Sequence, residues 1–128
     1  MKLLKNITFR KYLFLTWFVF ILIISSIPNV SVNKVEISDK GFHIRLDYIL
    51  HFTIFLILAL LYLSWKNEYG YRNILLTVFF GIIYASFTEY EQKIIPGRTF
   101  NPFDLIYNSS GFVTGCILMV LFNKKSKK

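Results

Sequence analysis

The sequence predicts an all-α membrane protein, a bundle of four transmembrane helices with both termini in the cytoplasm. Three observations lead there. First, hydrophobic residues make up 55% of the 128-residue chain and charged residues only 17%, with a mean hydropathy of +0.51. A soluble domain carries roughly 25% charge, and one of this size buries only about two-thirds of its surface. Second, the apolar residues gather into four runs, each near the roughly 20 residues that cross a bilayer as a helix. None alternates polar and apolar as a barrel strand does, and lipid leaves a lone segment no other way to satisfy its backbone. Third, the positive charges flank these runs. The length allows one domain, residues 1–128. Cys116 is the sole cysteine, which excludes an intramolecular disulfide framework and multi-cysteine metal sites.

The first span is predicted over residues 12–28, an uncharged stretch ended by Pro28-Asn29. It is longer than the core of a signal peptide and no A-x-A-like site follows it, so it reads as a retained anchor. A polar outer loop, 29–46, leads to the second span, 48–65, in which His51 is the only titratable group besides tyrosine. The stretch Lys66 to Asn73, containing Gly70, is a tight turn into the third span, 74–90. Gln92 to Pro102, with Pro96-Gly97, links it to the fourth, 103–122. His43 is expected to be an exposed loop residue, and Cys116 to face lipid or pack between helices.

The net charge of +8 does not indicate nucleic acid. The cations do not interleave with exposed aromatics, and no nucleic-acid motif accompanies them. They sort by side instead. With both termini inside, the inner segments hold Lys2, Lys5, Arg10, Lys11, Lys66, Arg72, Lys124, Lys125, Lys127 and Lys128. The outer ones hold Lys34, Lys40, Arg45, Lys93 and Arg98. That asymmetry is the positive-inside pattern. The lipid bilayer is therefore the first partner; the oligomeric state is not encoded legibly.

This topology gathers the polar residues at one membrane face. Asp47 and His51 stand at the outer end of helix two, Glu89 and Gln92 at that of helix three, and Asp104 and Asn108 at that of helix four. Arg98 lies in the loop between the last two. Asp47/His51 and Asp104/Asn108 are spaced i,i+4, and Glu89/Gln92 i,i+3, so each pair shares a helix face. Ionisable groups in a span cost about 2.5–3.5 kcal/mol at the bilayer centre, so they are expected to point inward and pair. Arg98 offers a planar fork for a phosphate or carboxylate. Asp47 is placed to orient His51 as a general base. Asn108 lies deeper and is expected to bridge helices two, three and four, and Gly111 and Gly115 to pack the fourth helix closely. His51 with Asp47, Glu89 and Asp104 offers ligand atoms, but with no second convergent histidine and no H-E-x-x-H the reading is no metal and no cofactor.

The same residues carry a resemblance. Asp47-x-x-x-His51 opening a span, Glu89-x-x-Gln92, then Pro96-Gly97-Arg98-x-x-x-x-x-Asp104-x-x-x-Asn108-x-x-Gly111-x-x-x-Gly115 resembles the VanZ-like family over roughly residues 45 to 120. The resemblance implies a small four-helix membrane domain, with a role in low-level glycopeptide resistance, particularly to teicoplanin, or elsewhere in the bacterial cell envelope. The chain departs from the family at Tyr48, where many members carry lysine.

Three functions follow as expectations. In the leading one, Asp47, His51, Glu89, Gln92, Arg98, Asp104 and Asn108 form an outward pocket for an anionic lipid-linked or peptide-carboxylate ligand. In the second, the site is an enzyme acting on a lipid-linked cell-wall precursor, with His51 as base and Asp47 as its orienter. In the third, the polar groups only lock the helices together and the surface recruits a partner protein. The expected location is the bacterial cytoplasmic membrane, crossed several times.

Overall fold

The computed structural model describes residues 6–28, 36–39 and 42–126. Four helices dominate: α1 (Ile7–Ser26), α2 (Leu46–Lys66), α3 (Tyr71–Glu91) and α4 (Pro102–Ser126). All four are long and apolar enough to cross a membrane. Lys2, Lys5, Lys34, Lys40, Lys127, Lys128 and positions 29–35 of the outer loop lie outside the described residues, as do the side chains of His43, Lys124 and Lys125.

Local chemistry sets the helix ends. Asn6 caps α1, its side-chain oxygen accepting from the Thr8 amide at 2.9 Å. Asn67 closes α2 in the left-handed region (φ 53°), and its amide donates to Leu63 O at 2.9 Å. Asparagine tolerates that conformation better than most side chains. A 3-10 turn, Gln92–Ile94, prolongs α3, and Gly97 turns the chain at φ 80°. Pro102 then begins α4, where its missing amide proton costs nothing.

α1 starts five residues before its predicted span and ends two before the predicted end, while α2, α3 and α4 overrun their predicted spans by one to four residues at each end. The reason is that charged residues in the interface still find partners. Arg10, two residues before the predicted start of span one, donates from Nη1 to Ser64 O at 2.9 Å and so satisfies a carbonyl in the last turn of α2. The outer loop differs more. It contains a two-stranded antiparallel hairpin, β1 (Glu36–Asp39) and β2 (Phe42–Arg45), paired from Glu36–Arg45 to Asp39–Phe42. The four-residue alternation Glu36-Ile37-Ser38-Asp39 is too short to stand out against spans of hydropathy. The all-α class holds for the membrane-crossing part.

α2 and α4 form the tightest pair. A Cβ on Gly111 would collide with the backbone of Phe52, falling 2.8 Å from its carbonyl carbon. One on Gly115 would lie 2.7 Å from Leu56 O and 2.8 Å from Ala59 Cβ. The core between the helices includes Phe55, Leu58, Ala59, Leu63, Phe112 and Cys116, so the cysteine is packed inside. Gly81 supports it from α3, since a side chain there would enter the Phe112 ring. α1 is peripheral. It is held by Trp17 Nε1 donating to Ile54 O (3.0 Å), by Tyr84 Oη donating to Phe18 O (2.7 Å), and by Phe14 stacked on Trp65. Outward-facing Phe79, Phe80, Phe87, Ile106, Ile117 and Phe122 are exposed, as lipid-facing side chains should be.

The contacts also say which ends meet. Arg10–Ser64 joins the start of α1 to the end of α2. Ser26 Oγ donates to Glu91 Oε1, and Arg98 Nη1 donates to Ser25 O at 3.1 Å, joining the end of α1 to the end of α3 and the link beyond it. Tyr48 stacks on Tyr107, their ring centres 4.7 Å apart, which brings the starts of α2 and α4 to that same end.

Candidate functional site

At that end, one asparagine ties three helices together. Asn108 of α4 donates from Nδ2 to Glu89 Oε1 of α3 at 3.0 Å, while its Oδ1 lies 3.0 Å from His51 Nδ1 of α2. An amide donating on one side accepts on the other, so this arrangement leaves the Nδ1 proton pointing to Asn108. The second histidine nitrogen, Nε2, is thereby left free. It faces Asp104 Oδ2 at 3.7 Å, beyond hydrogen-bond length. Glu89 is fully buried, and Asn108 nearly so at 1% exposure. Gln92 is also buried, with Nε2 3.5 Å from Glu89 Oε1.

Glu89 Oε2 accepts no hydrogen bond from any described residue. A buried oxygen without a donor costs about 1–3 kcal/mol, so native structures rarely keep one without a use.

Asp104 owes its position to the start of α4. Asn101 caps the helix, Oδ1 accepting from the Phe103 amide at 3.1 Å, and its Nδ2 donates to Asp104 Oδ1 at 2.9 Å. The Asn101 side chain thus caps the helix and holds one Asp104 oxygen, while the other faces His51. Asn101→Ala is therefore expected to cost about 1 kcal/mol of stability. It should also loosen Asp104; thermal denaturation in micelles measures the first effect. Asn101 is a residue the sequence reading missed, although the Asn-Pro-x-Asp spacing announces it.

The expected Asp47–His51 pairing does not form. Asp47 makes a salt bridge with Arg45 Nη2 and accepts from Arg45 Nε at 3.1 Å, and His51 takes Asn108 as its Nδ1 partner instead. The competition is local: Arg45 stands two residues before Asp47 and reaches both carboxylate oxygens, which an imidazole cannot do. Burial opposes the Arg45 charge, yet the hydrogen bond and charge of Asp47 outweigh it and hold the guanidinium pKa above its ordinary value. Arg45 also lies over the Tyr48 ring, 4.8 Å from its centre. A cation thus stands beside position 48 even though this chain has tyrosine there.

Arg98 does not join the carboxylates either. It is anchored to Ser25 O and lines a cavity of about 120 Å3 shared with Asp47, His51, Ile24, Leu50 and Ile54. The predicted residues therefore divide. His51, Glu89, Gln92, Asp104 and Asn108 form an inner cluster, while Asp47 and Arg98 flank its opening. His51, 27% exposed in its side chain, belongs to both.

One comparison with known proteins is positive. A family model described as VanZ/LLP1 matches residues 3–123, nearly the whole chain. No curated protein and no solved structure matches.

Proposed function

The chain belongs to the VanZ/LLP1 family, and on that premise we propose that its polar pocket engages an anionic, lipid-linked or peptide-carboxylate ligand of the bacterial cell envelope. The cavity beside His51 carries this reading. Its surface is mostly apolar, from residues including Ile24, Leu50 and Ile54, and His51, Arg98 and Asp47 stand among the residues that line it. That combination suits a molecule with a charged head and an apolar tail. Arg98 is part-buried beside an apolar wall, where a guanidinium grips an anion more strongly than in open water. The positive-inside pattern supports a pocket on the outer face of the cytoplasmic membrane, with both termini in the cytoplasm.

The reading extends to teicoplanin tolerance through the family resemblance. A sensitive Gram-positive host expressing the wild-type chain is expected to tolerate more teicoplanin than a control. Arg98→Ala and His51→Gln are expected to lose that tolerance at unchanged levels of membrane protein. Tolerance that survives Arg98→Ala removes the binding role.

An enzymatic reading has one observation in its favour: His51 lines the cavity and its Nδ1 is held by Asn108 while Nε2 makes no hydrogen bond among the described residues, an oriented ring of the kind a general base needs. Asn108 would then replace Asp47 as orienter. This reading predicts that His51→Gln retains binding of a polyprenyl phosphate and loses its turnover.

A further inference from the structure

The inner cluster has a difficulty that the anion-binding reading leaves unsolved. An anion reaching His51 meets Asp104 and Glu89, and like charges a few ångströms apart repel by kilocalories in a part-buried site. Arg98 and Arg45 act on these two carboxylates only from a distance, because one is bonded to Ser25 O and the other to Asp47. The cluster is built for a cation first.

We propose that His51, Glu89 and Asp104 hold one divalent cation, of the Zn2+ or Mn2+ class, and that this cation presents the pocket's anionic ligand. The second half rests on the function proposed above; the first half does not. One ligand atom from each of the three residues lies within 4.8 Å of the others. His51 Nε2 lies 3.7 Å from Asp104 Oδ2, too long for a hydrogen bond, while the 3.9 Å approach of Glu89 Oε1 is to the other ring nitrogen, Nδ1, which Asn108 holds. The Nε2–Asp104 separation is close to the ~3.4 Å that separates two donors each about 2.1 Å from a tetrahedral ion.

Three further features fit. The buried Glu89 Oε2 has a free lone pair and no donor, which is an independent sign of something that binds there. His51 offers Nε2 while Nδ1 is held by Asn108, the arrangement in which a metal-binding imidazole has its other nitrogen fixed by a hydrogen bond. Asp104 is likewise oriented through its second oxygen by Asn101. The ligand set also selects. One imidazole with two carboxylates suits Zn2+ or Mn2+ better than Mg2+ or Ca2+, which prefer all-oxygen sites. Three protein ligands leave a coordination position open, and that position is where a phosphate or carboxylate oxygen would sit.

The test uses the full chain in nanodiscs and Mn2+ as the probe, followed by electron paramagnetic resonance. The wild type is expected to bind a single Mn2+ with nitrogen coupling from an imidazole. Asp104→Asn should weaken binding by at least about tenfold, and His51→Gln should erase the nitrogen coupling. Glu91→Gln, which alters a carboxylate bonded to Ser26 outside the cluster, should change neither. Asp104 is chosen over Glu89 because its side chain is 12% exposed and less essential to packing, and circular dichroism would check that every variant is folded. No Mn2+ bound, or equal binding by folded Asp104→Asn and His51→Gln, overturns the site.

A second arm titrates dodecyl phosphate with EDTA and then with added Mn2+. Binding lost in EDTA and restored by Mn2+ supports the bridge. Binding indifferent to EDTA overturns the bridge and leaves the anion-binding reading standing. Mn2+ bound without any dodecyl phosphate overturns that reading and leaves the cation site standing.

Discussion

Gly111→Leu is expected to unfold the bundle, with most of the protein lost from the membrane and the remainder melting far below wild type. The physical reason is that the substituted Cβ would meet backbone. At Gly111 the obstacle is the Phe52 carbonyl group of α2, which cannot rotate away as a side-chain tip can. Helix pairs in lipid gain little from the hydrophobic effect, so close backbone approach through small residues supplies much of their association. Overpacking costs about 1–3 kcal/mol where side chains can yield, and more where they cannot. Separating α2 from α4 also pulls His51 away from Asn108 and Asp104. Gly70→Ala is the matched control, since a Cβ there meets nothing within 4 Å. Size-exclusion profiles and thermal midpoints in one detergent measure both; a monodisperse Gly111→Leu melting like wild type would contradict the packing.

Asn108→Leu is the second large effect. It removes the Glu89 Oε1 donor and the His51 Nδ1 partner together while keeping side-chain volume nearly constant. Each buried group left without a partner costs about 1–3 kcal/mol. Glu89 Oε1 would then be left with the long 3.5 Å approach of Gln92 in place of the Asn108 donor. A clear drop in melting temperature is expected, with loss of the function assayed. Asn108→Asp distinguishes the causes: it keeps an acceptor for His51 but sets a carboxylate against Glu89. If Asn108→Leu is as stable as wild type, the three-helix tie is not a structural element.

Much of this architecture was legible because lipid enforces it. The four apolar runs and the separation of cations needed no knowledge of packing. The residues near the membrane boundary were harder. The i,i+4 spacing of Asp47 and His51 correctly puts both on one helix face, yet says nothing of rivals. Arg45 lies outside that spacing and captures the carboxylate, leaving the imidazole to a residue 57 positions away in sequence. Ser25 is another such case: its backbone oxygen anchors Arg98, and backbone acceptors have no signature in composition. Asn101 was legible in principle, as the cap that fixes Asp104. Glu89 illustrates the remaining limit. Its i,i+3 spacing to Gln92 marks it as a candidate, yet only the turn of α3 decides that Glu89 is buried while Glu91 reaches Ser26.

The central claim is that the pocket at the end of α2 receives an anion with an apolar tail. Calorimetric titration of dodecyl phosphate into wild-type nanodiscs, with empty nanodiscs and inorganic phosphate as references, tests it most directly. The account predicts saturable binding in Mn2+-containing buffer, stronger for dodecyl phosphate than for inorganic phosphate. Arg98→Ala should weaken it roughly tenfold or more, as loss of a charged hydrogen bond worth about 1.5–3 kcal/mol requires. Wild-type nanodiscs that bind no more than empty ones, or an Arg98→Ala protein that binds as tightly as wild type, would contradict it.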